Sequence, residues 1–187
     1  MKLSENQELK KEILKLPQKE KDKLLLRLIA KDKILTEHLH FVLFEDETGL
    51  IERTNAIEEV FKLGIVELKK NRYKKAREIL NFYRKSIKLV NHHFKVTKAK
   101  YEEVQLRLVL LNNIVDLLYF LENREINDDE RVLFKIVYNG IRLTVNKYYK
   151  LHEDLQYDLS TQLQELLGKI DKHSVKEWVF QFGLTKI

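Results

Sequence analysis

Histidines beside carboxylates are the first residues in this chain that suggest chemistry. Glu37 and His40 form the only Glu-x-x-His pair in the sequence, and this is the spacing by which di-iron bundles place a carboxylate and an imidazole on one helix face. Such a site needs two pairs, and the chain has no His-x-x-x-His motif either. Glu37 and His40 are therefore weak metal candidates, and we predict no metal centre and no cofactor.

A second histidine cluster closes a basic segment. His92 and His93 follow Asn91, and Lys95 and Lys98 come soon after. Imidazoles near a helix C-terminus are favoured by the helix dipole without any function. The same four side chains also suit a phosphate-binding or acid–base site. A metal-dependent or acid–base enzyme using His40, His92 and His93 is therefore kept as an alternative function.

Nucleophilic catalysis has little support in the sequence. The chain has no cysteine, which excludes thiolate zinc sites, iron–sulfur clusters, disulfides and cysteine nucleophiles. None of its four serines lies in a Gly-x-Ser-x-Gly context. Whether the protein is an enzyme is left open, and a non-enzymatic role is favoured.

The net charge of +6 conceals a strongly basic block. Between Lys69 and Lys100 there are twelve basic residues and one acid, Glu78, so the rest of the chain has a net charge of −5. Segments 34–68 and 101–130 each carry two basic and eight acidic residues. The block therefore either binds an anionic partner or neutralises acidic neighbours through weak surface ion pairs.

Helical periodicity places much of this block on one surface. From Tyr73 to Phe94 the apolar residues recur every three or four positions, which predicts one amphipathic helix. At 100° per residue, six cations fall within about 100° of arc, clear of the apolar stripe: Lys70, Lys74, Arg77, Arg84, Lys85 and Lys88. The candidate anion-binding face comprises Lys70, Lys74, Arg77, Arg84, Lys85, Lys88, His92, His93, Lys95 and Lys98. Phe82 projects away from both stripes, and the sequence does not indicate whether it packs or is exposed.

Composition predicts an all-α fold. The chain has only five glycines and one proline in 187 residues. All-β folds with many turns and glycine-rich phosphate-binding loops need more of these residues, so the composition disfavours both. We expect a single-domain bundle, 1–187, of seven to nine helices around an apolar helix at about 98–123. Residues 1–16 are expected to form a short, loosely attached N-terminal helix.

Local signals divide the rest of the chain. Asp32 is a candidate cap that would split 17–46 into two helices, while one continuous helix is the alternative. The stretch 45–49 is expected to be a loop, with Thr48 capping the next helix. Asn127 and Glu130 predict a capping box at the start of a long helix or helix pair over 128–171. Ser174 is a candidate cap for a last helix.

These observations favour a helical binding or scaffold protein. The basic helix face within 69–100 would meet nucleic acid or an acidic protein. The apolar seam within 131–170 leaves a structural homo-oligomer, such as a homodimer, as another alternative. The first fifteen residues do not resemble a signal peptide, and no stretch has the ~20 apolar residues of a membrane span. We expect a cytoplasmic protein without a membrane partner.

Overall fold

A computed structural model describes residues 5–70, 76–118 and 127–172. Eight helices run through these residues, and no strand occurs among them, so the prediction of an all-α fold is confirmed. The helices are α1 (Gln7–Lys15), α2 (Gln18–Ile29), α3 (Lys33–Phe44), α4 (Glu47–Lys70), α5 (Ala76–Thr97), α6 (Lys100–Leu118), α7 (Asp128–Tyr148) and α8 (Glu153–Lys172). Their backbone contacts group the chain into two compact units, 1–45 and 46–187. The single domain expected from the sequence stays a prediction.

The first unit contains α1, α2 and α3. None of the residues in these three helices is buried. Asp32 ends the α2–α3 connection, and its carboxylate accepts a hydrogen bond from the Leu35 amide at 3.1 Å, which confirms the cap. The stretch 17–46 therefore forms two helices, because Asp32 satisfies the first free amides of α3.

The second unit is built around α6. This helix contacts α4, α5, α7 and α8, and nearly every turn of it buries apolar side chains on more than one side. An apolar helix has this environment only at the centre of a bundle. The predicted central helix is thus confirmed, with bounds at Lys100–Leu118.

The C-terminal part of this unit is a helix pair. The capping box at Asn127 and Glu130 is present in both directions and starts α7. Residues 149–152 separate α7 from α8, and the Tyr148 hydroxyl donates to the Gln156 carbonyl at 2.6 Å across this break. The apolar seam predicted within 131–170 lies in the core of the unit, where Ile141, Val145 and Leu159 are buried.

The predicted loop over 45–49 is wrong in most of its length. Helix α4 begins at Glu47, so Thr48 is a helical residue and not a cap. The carboxylate of Asp46 accepts a hydrogen bond from the Gly49 amide at 3.2 Å and takes the capping role. The predicted cap at Ser174 lies outside the described residues. Within the described ranges, no helix is both long and apolar enough to cross a membrane.

Candidate anion-binding face

Helix α5 presents a row of cations to solvent. Arg77, Arg84, Lys88 and Lys95 are all exposed, and we call these four residues the basic ridge. They fall within about 40° of arc at 100° per residue, so they form a line nearly parallel to the helix axis. Eighteen residues at a rise of 1.5 Å make this line about 27 Å long.

Two asparagines complete the row. With Asn81 and Asn91 included, the spacing along α5 alternates four, three, four, three and four residues, which keeps the six positions on one side of the helix. Lys85 and His92 are exposed and flank the row. The side of α5 that carries the ridge is therefore polar and cationic through five helical turns, and Leu89 is exposed beside it.

The ridge cations are not neutralised by the rest of the described chain. Among the described residues, none of the four forms an ion pair, although acidic side chains pair with cations on several other helices. The acidic residues of α4 therefore form no ion pair with the ridge.

Some of the predicted site residues lie elsewhere. Lys70 is exposed at the end of α4. Lys74 lies outside the described residues, as does the whole of 71–75 between α4 and α5, so the part of the predicted face over 70–75 stays a prediction. Lys98 is exposed just after α5 and has a φ of 59°, the left-handed conformation of a helix end. Within α5 the cationic row extends from Arg77 to Lys95.

His93 points into the unit rather than towards the ridge. Its side chain is buried, and its Nε2 lies 3.5 Å from the Thr54 hydroxyl of α4, while no described residue forms a hydrogen bond with its Nδ1. Burial lowers the pKa of His93, and the positive charges of Arg53 and His92 lower it further. A neutral, buried imidazole contributes no charge to an anion-binding face, whereas His92 remains at the surface.

The aromatic residues of α5 are turned away from the ridge. Phe82 packs its ring against Gly64 of α4, so closely that a Cβ at residue 64 would overlap the ring. Tyr83 is buried, and its hydroxyl occupies the space that a Cβ at Gly140 would need. Burial raises the pKa of Tyr83 to about 12, against the opposing effect of the positive charge on Arg107.

A buried ion cluster lies behind the ridge. Glu103 and Arg107 of α6 are each 3% exposed. Arg107 donates to Glu103 Oε1 from Nε at 3.1 Å and from Nη2 at 2.9 Å, and Lys147 Nζ of α7 donates to Glu103 Oε2 at 3.0 Å. Arg107 Nη2 also donates to Asn91 Oδ1 at 2.6 Å. Asn91 therefore connects the polar row of α5 to the interior.

Sequence analysis did not identify this cluster. The signal was present, because Glu103 and Arg107 stand four residues apart in a helix that is otherwise apolar on most sides, and a charge in such a helix needs a partner. The contribution of Lys147 depends on how α7 packs against α6, which spacing along the chain does not reveal.

The candidate metal residues lie in α3. His40 Nδ1 is 3.1 Å from Oε1 of Glu45, and the His40 ring contacts Phe44. Glu37 lies one turn earlier on the same helix. In the part of the chain that the structure describes, no group of three or more histidine, aspartate or glutamate side chains is arranged to hold a metal ion.

Comparisons with known proteins give no relative. No family model, no curated protein and no solved structure matches this chain.

Proposed function

We propose that this protein is a non-enzymatic helical binding protein whose basic ridge holds the phosphate backbone of a nucleic acid. The observation that carries the proposal is the row of four exposed cations on α5 with no ion pair to any described residue. A row of fixed cations replaces the counterions condensed on a polyanion, and the release of those counterions drives sequence-independent binding.

A purely stabilising role fits the ridge poorly. Arg84 and Lys88 stand four residues apart on the same helix, and like charges at this spacing destabilise a helix by roughly 0.2–0.5 kcal/mol. A face that served only to stabilise the bundle would place a carboxylate at one of these positions. The repulsion is relieved when a polyanion lies along the row, which is what the proposed function requires.

Charge reversal on the ridge tests the proposal. The variant Lys88→Glu/Lys95→Glu is expected to elute from heparin and from immobilised nucleic acid at clearly lower salt than the unmodified protein. The matched control is Lys135→Glu/Arg142→Glu on α7, because both residues are exposed and also stand seven positions apart. Circular dichroism and thermal melting of both variants verify that the fold is retained.

The outcomes separate three conclusions. Lower-salt elution of the ridge variant alone supports the proposal. Equal losses in the two variants would indicate a response to net charge rather than to the ridge, and would contradict it. Retention on heparin without retention on nucleic acid would contradict binding of a nucleic acid by the ridge. It would favour the other partner class expected from the sequence, an acidic protein.

A further inference from the structure

The aromatic residues of α5 limit which nucleic acid the ridge suits. Proteins that bind single strands stack the unpaired bases on exposed aromatic rings, which contribute about 1–3 kcal/mol per base. On α5, Phe82 is packed on Gly64, Tyr83 is buried beside Gly140, and Phe94 is half-buried with its ring centre 5.3 Å from Lys147 Nζ. The exposed side of this helix therefore carries no phenylalanine, tyrosine or tryptophan ring, and the imidazole of His92 is its single candidate for base stacking.

Two glycines keep these rings off the surface. A Cβ at residue 64 would overlap the Phe82 ring, and a Cβ at residue 140 would overlap the Tyr83 hydroxyl. Glycine within a helix costs roughly 0.5–1 kcal/mol relative to alanine. Gly64 and Gly140 therefore lower the stability of their helices, and each leaves space for an aromatic side chain of α5 to pack inside the unit.

The ridge stands on a helix that three others support. Helix α5 packs against α4, α6 and α7, so its cations stand on a backbone that is held from behind. A single strand would lose conformational freedom on lying along a straight row of about 27 Å. A duplex is already straight and carries one charge per about 1.7 Å, roughly twice the charge density of a single strand.

Helix α5 is also unsuited to reading base edges. Reading bases in the major groove of DNA requires a helix that enters a groove about 12 Å wide. Helix α5 packs against three other helices and exposes the ridge, its polar flanks and Leu89. We expect such a helix to lie across phosphates rather than to enter a groove. Contacts to phosphate position a protein but carry no sequence information.

We propose that the basic ridge binds duplex nucleic acid through its phosphates, independently of base sequence and in preference to single strands. This inference rests on the proposed function of the same face. Four phosphate contacts predict that the logarithm of the binding constant falls with the logarithm of salt concentration with a slope of about −4.

Fluorescence anisotropy of the full chain tests the inference. The probes are two DNA duplexes of unrelated sequence, the separated strands of each, and polyglutamate. Both duplexes are expected to bind equally, about fivefold or more tighter than any strand and tighter than polyglutamate. Lys88→Gln/Lys95→Gln is expected to reduce the salt slope to about −2, while Lys135→Gln/Arg142→Gln leaves it near −4.

Each contrary outcome has its own meaning. Equal or tighter binding of single strands would overturn the duplex preference and leave nucleic-acid binding by the ridge in place. A tenfold preference for one duplex sequence would overturn recognition through phosphates alone. Tighter binding of polyglutamate, or no binding of any nucleic acid, would overturn this inference together with the proposed function.

Discussion

The basic ridge of α5 and the buried ion cluster of α6 and α7 carry the same cationic residue types in opposite settings. In the cluster, Glu103 accepts hydrogen bonds from both Arg107 and Lys147, and the arginine is almost fully buried. On the ridge, four cations are exposed and have no carboxylate partner among the described residues. A buried charge needs a partner to compensate for its lost hydration, whereas an exposed charge is solvated by water and needs none.

This difference predicts that the two sets of charges respond differently to substitution. Removing a partner from the cluster should affect folding strongly, since it leaves a charge buried without compensation. Removing a ridge charge should leave folding nearly unchanged. Asn91, whose side-chain oxygen accepts a hydrogen bond from Arg107, is the point at which the two regions meet.

The largest loss of folding stability is expected from Glu103→Gln. This change leaves Arg107 buried without a carboxylate and removes the partner of Lys147, so unfolding by urea should show a loss of about 3–5 kcal/mol. Glu103→Leu/Arg107→Met is expected to lose much less, because replacing a buried ion pair by apolar residues is often close to neutral. A loss below about 1 kcal/mol for the single variant would contradict the structural role assigned to the cluster.

The second-largest loss of folding stability is expected at Gly140, which leaves space for the hydroxyl of the buried Tyr83. Gly140→Ala forces a Cβ into the Tyr83 hydroxyl, and overpacking of this kind costs about 1–3 kcal/mol. Tyr83→Phe in the same chain is expected to recover part of the loss, because the overlapping oxygen is gone while the ring carbon Cζ, 3.1 Å from the added Cβ, remains.

Gly168→Ala on α8 is the matched control for that change. Among the described residues, no atom outside the backbone of α8 itself lies within 4 Å of a Cβ at this position, so the change should raise stability by about 0.5–1 kcal/mol through the better helix propensity of alanine. Thermal melting of both glycine variants gives the comparison. Equal effects at 140 and 168 would show that Tyr83 moves aside without cost.

The features of this molecule that depend on residues close together along the chain could be predicted from the sequence. The apolar periodicity of α6, the cap at Asp32 and the capping box at Asn127 all follow from spacings of three or four residues, and all three are confirmed. The basic side of α5 is predicted by the same periodicity. The error at Thr48 is also local, because Asp46 competes for the same helix start and accepts the hydrogen bond that defines it.

The features that could not be predicted from the sequence depend on contacts between helices. Whether Phe82 packs or is exposed is decided by Gly64, which lies on α4. The third member of the buried ion cluster, Lys147, is forty-four residues from Glu103 along the chain, and His93 is turned inward by the packing of α5 on α4. A single sequence specifies the faces of these helices but not the rotation and offset with which two faces meet.

A smaller effect distinguishes the two adjacent histidines of α5. Because burial lowers the pKa of His93, the unfolded chain binds a proton at higher pH than the folded chain does. The contribution of His93 to stability is therefore fully present above the ordinary histidine pKa of about 6.5 and is lost as pH falls below it. His93→Gln should flatten the fall in urea midpoint between pH 7 and pH 5, and His92→Gln should reduce that fall only slightly, because the charge of His92 is the smallest of the three causes that lower the pKa of His93. Equal slopes in all three proteins would contradict this assignment.

The smallest effect on folding, and the sharpest contrast with the cluster, is expected from Lys88→Glu. The substitution replaces repulsion between Arg84 and residue 88 by attraction at the same four-residue spacing, so stability should rise by up to about 0.5 kcal/mol. The same variant should lose affinity for duplex DNA, since one phosphate contact becomes a repulsion. A gain in folding stability together with a loss of binding would mean that the ridge is maintained at the expense of the helix that carries it, as expected for a functional surface. A loss of stability would instead place Lys88 in an interaction that supports the bundle.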